Sequence, residues 1–478
     1  MDASTRLTTK TSESPSHVST SSAPKSSGRV KNTLLTLTVL ASFTAGVFFT
    51  SNVMHTDMST WRHLPAVQQV SEQFKLVGTF VSSVAKKLQS PGPAGSFEKS
   101  EVFRTFVKEK VGNATTVEEY IASVRAYLLN FRSPMIRERP EEYSWPETEK
   151  EQVKAETKDG VPPKNKIKKI TWYNAPGYIK RVSSLELFGH CPVKDCSLSW
   201  SRKDHAQADV VLFRGAPGKT VIPRAHPGQI YLFHVMESPV LTNGHYRDSP
   251  WNSAFNWTWN YRVDSDIFYP VDYLKRPSTV PSMDQLRDVM RQKTKRVSWI
   301  SSNCNVQSQR DQYVKRLQQT IPVDHYGRCG KLKCDGKTPN CSAILNDYFY
   351  YLSFENAMCP DYVTEKFYKT FFQDIHVLAV VRGGATYSRF FPEGTFIDAE
   401  SFASPEELGR YLLDLSQDEA RYVDMLWRKA HFVYHEHGNV DAYCQLCYKA
   451  HHAERFAKTY PNLYGWYNRD QCKPPRKF

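Results

Sequence analysis

The first 190 residues of this 478-residue chain contain no cysteine. All ten cysteines come later, at 191, 196, 304, 329, 334, 341, 359, 444, 447 and 472. Cys444-x-x-Cys447 has no second Cys-x-x-Cys to complete a four-thiolate zinc pattern, and no zinc-finger or RNA-recognition signature occurs. The histidines, including adjacent His451 and His452, have no ligand partners at metal spacing. Acidic residues are in deficit, 49 against 63 Lys and Arg, for a net charge of +14. Such a chain favours anionic partners (nucleic acid, a membrane surface or phosphorylated small molecules), but no long basic tract concentrates the charge, so nucleic acid ranks low and a solvated surface accounts for most of the lysines.

Charge is missing altogether from Thr33 to Val53, TLLTLTVLASFTAGVFFTSNV. As a helix this run spans roughly 30 Å, the thickness of a bilayer core. Arg6, Lys10, Lys25, Arg29 and Lys31 precede it, and the next basic residue is Arg62. The asymmetry predicts a single-pass type II signal-anchor at 33–53, a cytoplasmic tail at 1–32 and a luminal remainder. The run is too long and starts too late for a cleaved signal peptide. An oxidising lumen would let an even number of cysteines form disulfides. The sequons Asn113, Asn256 and Asn340 fit the same compartment.

Residues 54–167 read as a luminal stem. Within it Tyr120, Ile121, Val124, Tyr127, Leu128 and Phe131 fall at helical spacing, a stripe that could pair with a second chain to make a homodimer. From Lys168 short apolar runs alternate with helical patterns: KKITWYN, ADVVLF, GQIYLFHV, RVSWISSN, YFYYLSF and IHVLAVV. That alternation predicts an α/β fold with parallel sheets covered on both faces. A break near 288–296 divides it into domains at 168–290 and 291–430, followed by a C-terminal extension at 431–478. In such sheets ligands bind beyond the carboxyl ends of the strands, so the residues that follow each run are the first candidates.

The stretch YLSFENAMCPDYVTEKFYKTFF, 351–372, is the richest in chemistry. A strand-like run is followed by Glu355 and Asn356, then by Asp361-Tyr362-Val363-Thr364-Glu365-Lys366 opening a helix. A helix N-terminus with a lysine suits phosphate. Glu365 could accept from ribose hydroxyls, and Tyr362 could pack on a nucleoside. An ordinary capped helix with solvated charges is the alternative.

FEN-x(4)-DYVTEK resembles the donor-binding signature of the α1,3-fucosyltransferase family. Four further segments resemble that family in order and spacing: HVMESPV (234–240), NWTWNYRVDSDIFYPVDYL (256–274), WISSNCNVQSQRDQYVKRL (299–317) and VVRGGATYSRFFPEGTFIDAESFASPEEL (380–408). The likeness covers about 168–450, and the invertebrate C-like branch is the nearest in pattern.

The resemblance implies two facing Rossmann-like domains of the GT-B type, with the second holding GDP-fucose. It implies an inverting transferase of the Golgi membrane that moves L-fucose to O3 of N-acetylglucosamine in a glycan. A non-catalytic glycan-binding relative is the rival, and it would be expected to lose Glu237, Arg310 or Lys366, all of which are present.

On this resemblance Glu237 is the base that takes the acceptor proton, and Arg310 and Lys366 contact the pyrophosphate. Glu355, Asn356, Tyr362 and Glu365 hold fucose and ribose, and Tyr261 and Arg262 line the donor site. Asp264-Ser265-Asp266 could hold Mn²⁺ in another transferase fold. Inside this segment it reads as structural, with no cofactor needed for chemistry and Mn²⁺ stimulation left open. The family's C-terminal cysteine pair bridges to a pair in the first domain, which would join Cys444 and Cys447 to Cys191 and Cys196. Those bonds would staple the C-terminal segment across both domains. Arg214-Gly215-Ala216-Pro217 stands where Lewis-type members carry His-His, so antennal and core N-acetylglucosamine acceptors both stay open.

Overall fold

A computed structural model describes residues 117–137, 166–242, 244–334, 343–435, 440–468 and 471–478. All of them fall in one compact unit, Phe80–Phe478. The expected tail, anchor, most of the stem, Asn113 and Asn340 lie outside the described residues. Among the described residues no helix is long and apolar enough to cross a membrane.

The chain enters through α1 (Val117–Asn130) and a short strand, β1 (Ile136–Arg137). The first half then runs β2 (Lys168–Trp172), α2 (Ser184–Phe188), β3 (Cys196–Ser199), β4 (Val210–Arg214), β5 (Ile230–His234), β6 (Trp257–Asn260), β7 (Ile267–Phe268) and β8 (Tyr273–Lys275). The second half comprises α3 (Met283–Arg291), β9 (Lys295–Ile300), α4 (Arg310–Leu317), β10 (Val323–Tyr326), β11 (Tyr348–Phe354), α5 (Glu365–Tyr368), β12 (Leu378–Arg382), α6 (Tyr387–Phe390), β13 (Phe396–Asp398), α7 (Pro405–Gln417) and α8 (Glu419–Lys429). The last elements are β14 (Val433–His435), α9 (Val440–His451) and α10 (Leu463–Asn468).

Each of the six short apolar runs read from Lys168 onward contains a strand. β2 to β7 form a six-stranded parallel sheet in the order β3-β2-β4-β5-β6-β7. β9 to β13 form a five-stranded parallel sheet, β10-β9-β11-β12-β13. All seven residues of β11 are buried, as a strand covered on both faces requires. Each order reverses once, between β2 and β4 and between β9 and β11, and a crevice opens beyond the carboxyl ends of the strands at such a point. A third sheet, β1-β8-β14, lies where the halves meet.

The segment after 430 is integral to the first half. Along β4, Val210 and Leu212 face one core and Val211 and Phe213 another, because side chains alternate across a strand. Tyr443 and Leu446 of α9 cover the first of these faces, and Leu463 and Tyr467 of α10 cover the second. Disulfides Cys191–Cys444 and Cys196–Cys447 fix α9 to the α2–β3 loop and to β3 of the first half, and neither spans the two halves. It is Cys359–Cys472 that ties the C-terminal tail to the second half, and Cys304–Cys329 closes a loop within it.

The stripe on α1 also has an assignment within the chain. Val124 and Leu128 are buried in the core of the second half, and Tyr120, Ile121, Tyr127 and Phe131 pack against that core. The Tyr120 hydroxyl donates to Asp424, 3.2 Å away, and Arg428 donates to both. The face expected to meet a second chain is therefore used internally. The Asn256 amide is engaged as well: Oδ1 accepts from Arg224 at 2.8 Å and Tyr231 N at 3.0 Å, and Nδ2 donates to the Lys458 carbonyl at 3.0 Å.

Two lysines are buried at the end of the second sheet remote from the strands' carboxyl ends. Lys293 Nζ donates to the carbonyls of Asn346 (2.9 Å) and Tyr348 (3.0 Å), and Lys429 Nζ donates to Ile375 (2.9 Å). Burial pushes Lys293 down to about 7, with Asp347 opposing, and pushes Lys429 down to about 7 with help from Lys293. The usual lysine value is 10.5. Between the two values the unfolded chain binds more protons, so this contribution to stability grows with rising pH and is fully lost below about 7. Lys429→Met should raise the thermal midpoint at about pH 6, with a gain that shrinks toward pH 10. Melting curves over that range check it, and a gain independent of pH would contradict it.

Candidate active site

Glu237 follows β5 by three residues, and its side chain is exposed at the carboxyl end of the first sheet. Oε1 accepts from the backbone N–H of Ser238 at 2.9 Å and from the Tyr362 hydroxyl at 2.5 Å. The Tyr467 hydroxyl donates to the Glu237 backbone carbonyl. Glu237 is thus held by its own turn, by the C-terminal segment and by a residue of the second half.

Around it the first sheet contributes Tyr178, Arg214 and His234. His234 ends β5, and its ring nitrogens meet the Trp259 carbonyl at 3.1 Å and the Tyr178 hydroxyl at 2.8 Å. Burial pushes its pKa down to about 3, so this imidazole is neutral. Arg214 ends β4 with its side chain exposed, while its backbone N–H and C=O are both paired with the Asn174 amide at 2.9 Å. Sequence reasoning missed Asn174, Tyr178 and His234. They come from the ends of two strands and the loop after one, and only the strand order makes them neighbours of Glu237.

The second half supplies a cluster of charge. Glu355 directly follows β11 and is 0% exposed. It accepts from Thr364 N at 2.8 Å and from Thr364 Oγ1 at 2.8 and 2.9 Å, and Lys366 Nζ lies 3.3 Å from Oε2. Burial pushes the Glu355 carboxyl up and Lys366 pulls it back. Lys366 Nζ also donates to Thr364 Oγ1 at 2.7 Å and to Glu365 at 3.1 Å. Burial disfavours its charge, but Glu355 and Glu365 more than offset that and raise its pKa above the usual lysine value. Glu365 is exposed; its surroundings disfavour its charge, yet Lys366 holds its carboxyl below the usual range.

Arg310 opens α4 after Gln309, which sits in the left-handed region at φ 51°. The guanidinium is 2% exposed, and Nη1 and Nη2 donate to the carbonyls of Phe354 (2.7 Å) and Asn303 (2.8 Å). Nε is buried without a partner, as is Oδ1 of Asn356. Those two atoms are the orphaned polar groups of the cluster, and a buried polar atom without a partner is costly unless a ligand meets it. Ser308 and Arg382 support the loops: Ser308 Oγ donates to the Glu355 carbonyl at 2.6 Å, and Arg382 Nη1 to the Ser308 carbonyl at 2.7 Å. At Gly384 an added Cβ would lie 2.3 Å from the Met358 backbone, so only glycine lets these loops touch.

Four expectations change. α5 is only four residues long, and its N-cap Thr364 is spent on Glu355, so no extended helix dipole faces a ligand there. Positive charge must come from side chains. Tyr362 is 3% exposed, packed 4.9 Å from the Tyr261 ring with its hydroxyl on Glu237, so it offers no open face to a nucleoside. Arg262 is committed to Asp264 through Nε (2.8 Å) and Nη2 (2.5 Å), and to the Trp466 carbonyl through Nη1 (2.6 Å), and is not free for the donor. Lys366 is not a free cation, since phosphate must replace one of its carboxylate partners.

The carboxylates of the Asp-Ser-Asp triplet serve separate networks. Asp264 pairs with Arg262, whereas Asp266 accepts from Thr258 N (2.9 Å), the Tyr460 hydroxyl (2.8 Å) and Lys458 (2.7 Å). Protein donors already occupy the oxygens that a divalent ion would need. Among the described residues, the one metal-like grouping is Cys196, Cys447 and His451, whose sulfurs form a disulfide. Asp266→Asn should therefore destabilise the fold by about 1–3 kcal/mol while leaving nucleotide binding intact. Thermal melting with and without GDP checks this, and unchanged stability with lost GDP binding would refute it.

A family model for "Fucosyltransferase, N-terminal" matches residues 165–272, and one for "Glycosyltransferase family 10 (fucosyltransferase) C-term" matches 290–466. Alpha-(1,3)-fucosyltransferase C of Drosophila melanogaster is 33% identical over 306 residues, 58% of this chain and 70% of its own length. Glycoprotein 3-alpha-L-fucosyltransferase A of the same fly is 34% identical, covering 63% of this chain and 60% of its own length. A crystal structure of an alpha1,3-fucosyltransferase with GDP-fucose aligns over 58% of this chain and 88% of its own, at 15% identity and a TM-score of 0.39.

Proposed function

We propose that this chain, which belongs to the fucosyltransferases of glycosyltransferase family 10, moves L-fucose from GDP-β-L-fucose to O3 of N-acetylglucosamine in a glycan, with inversion at the anomeric carbon. The observation that carries this reading is the exposed Glu237 carboxylate at the end of β5, joined across the cleft to the loop that bears Glu355 and Lys366.

The chemistry sets two demands. As the bond to GDP breaks, positive charge grows on the fucose ring and negative charge on the diphosphate. The acceptor hydroxyl must lose its proton to a base as it attacks from the opposite face. Glu237 takes the proton. Lys366 meets the diphosphate, exchanging a carboxylate partner for phosphate oxygens, and the unpartnered Nε of Arg310 supplies a second donor beside it. Asn356, with its unpartnered Oδ1, accepts from a sugar hydroxyl, and exposed Glu365 accepts from the ribose. Tyr178 and Arg214 border the side from which the acceptor arrives.

The apolar run at 33–53, with basic residues before it, supports reading the enzyme as a type II protein of the Golgi membrane with its catalytic body in the lumen. Four disulfides among the described residues suit that oxidising compartment.

Glu237→Gln should keep GDP binding and lower the transfer rate by about 10²–10⁴-fold. Wild-type transfer by this variant would remove Glu237 as the base. Lys366→Ala should weaken GDP-fucose binding and slow transfer, and unchanged affinity and rate would take Lys366 out of the donor site. Labelled GDP-fucose offered with glycans that carry antennal or core N-acetylglucosamine, followed by linkage analysis, tests donor, acceptor and position together. Transfer from a UDP-sugar instead would overturn the donor assignment.

A further inference from the structure

We propose that Tyr362 is a positioning residue: its hydroxyl, reaching across from the second half, anchors Oε1 of Glu237 and leaves Oε2 turned toward the acceptor. The inference rests on the reading of Glu237 as the base. A glutamate in an exposed turn has freely rotating side-chain bonds, and a base that samples many rotamers is rarely aligned with the proton it must take. Here Oε1 accepts two hydrogen bonds, from Ser238 N at 2.9 Å and Tyr362 at 2.5 Å. Among the described residues, no hydrogen bond reaches Oε2. One oxygen is pinned and the other is left for chemistry, much as the third member of a catalytic triad orients its histidine.

The anchor is rigid. The Tyr362 ring is 3% exposed and sits in a small cluster with Tyr261, Ala357 and Cys359, against which Met236 and Cys472 pack. Cys359–Cys472 braces that cluster. On one side Asp361, in the left-handed region at φ 58°, accepts from Val263 N of the first half at 3.2 Å. On the other side Thr364, two residues away, is bonded to Glu355 by both its N–H and its hydroxyl. The residue that orients the base is therefore two positions from the cluster assigned to the diphosphate.

An O–H donated to a carboxylate favours its ionised form. Tyr362 keeps its own proton, because burial and then the Glu237 charge push its pKa far above the usual tyrosine value. Among the described residues, the other titratable and charged groups facing Glu237 are Tyr178 from the loop after β2, with Arg214 beyond it, Tyr261 after β6, and Tyr467 on α10.

The test uses the full chain in detergent, with GDP-fucose and an N-acetylglucosamine-bearing glycan. Tyr362→Phe should lower kcat by about 10- to 100-fold, while KM for GDP-fucose stays within about twofold. The acid limb of its pH–rate profile should move to higher pH, since the ionised base has lost a donor. A fluorinated tyrosine at position 362, a stronger donor of nearly the same shape, should keep kcat near wild type and move that limb to lower pH. Unchanged kcat and pH profile in both variants would overturn the proposal. So would a raised KM for GDP-fucose with kcat intact, which would make Tyr362 a donor contact. Glu237→Gln, measured alongside, separates the two ideas. Full activity in that variant sinks the base itself, whereas an inactive Glu237→Gln beside an unaffected Tyr362→Phe sinks only the anchor. Lost activity in Tyr362→Phe together with lost GDP binding and an unchanged acid limb in the fluorotyrosine protein would mark a purely structural role and would also count against the proposal.

Discussion

A carboxylate with no exposed surface is among the most expensive groups a fold can carry, and Glu355 is one. Thr364 and Lys366 compensate it, and to do so the chain between 355 and 366 must double back on itself. Removing one partner of such a buried pair costs about 3–5 kcal/mol. The need to satisfy Glu355 thus fixes the loop that bears Asn356, Tyr362 and Lys366. Cys359–Cys472 and the close passage of Gly384 against Met358 brace it from outside. With Arg310 and Glu365 included, two cations stand against two carboxylates, so the resting cluster is close to neutral. On the proposed reading, an arriving diphosphate would bind by exchange, replacing carboxylate partners of Lys366.

The second constraint is topological. Six parallel strands leave two apolar faces that the first half's own short helices cannot cover. α9 and α10 return from beyond the second sheet to cover both, and the two disulfides hold α9 in place. The same return brings Tyr467 to the Glu237 carbonyl and Trp466 to Arg262. Closing the core of the first sheet and shaping the acceptor side of the cleft are consequently one event, and α10 cannot be removed without losing both.

Much of this was legible in the sequence. Strands buried on both faces leave continuous apolar runs, and β2, β4, β5, β9, β11 and β12 were read from theirs. Glu355 and Lys366 lie close in sequence, so one motif exposed their partnership. Glu237 was placed at a strand end by the run before it. The contact between Glu237 and Tyr362 joins residues 125 positions apart, and no local pattern encodes it. Arg262 looked like a donor ligand because its neighbours resemble a donor segment, yet Asp264 two residues on takes its guanidinium. The helical period of α1 showed that it has an apolar face but not what that face meets. The partner, α8, lies some three hundred residues downstream, as the Tyr120–Asp424 bond shows. Short-range chemistry was readable, and pairings made only by the fold were not.

The inverting reaction proposed above would explain why those long-range pairings cluster where they do. Inverting transfer needs its base and its leaving group on opposite sides of one carbon, so a single strand end cannot supply both. Two sheets with separate switch points solve this by giving each group its own rigid platform. Precision then depends on whatever fixes one platform against the other. Here that job falls to a few side chains: Tyr362 on Glu237, Asp361 on the Val263 amide, and the Tyr261–Tyr362 contact between them. The last two join residues 261–263 to 361–362, one short segment of each half, and the first extends from the same Tyr362 to Glu237. The tolerance of the reaction is therefore set less by the residues that touch substrate than by this narrow seam, where an error of about 1 Å would misalign base and leaving group together.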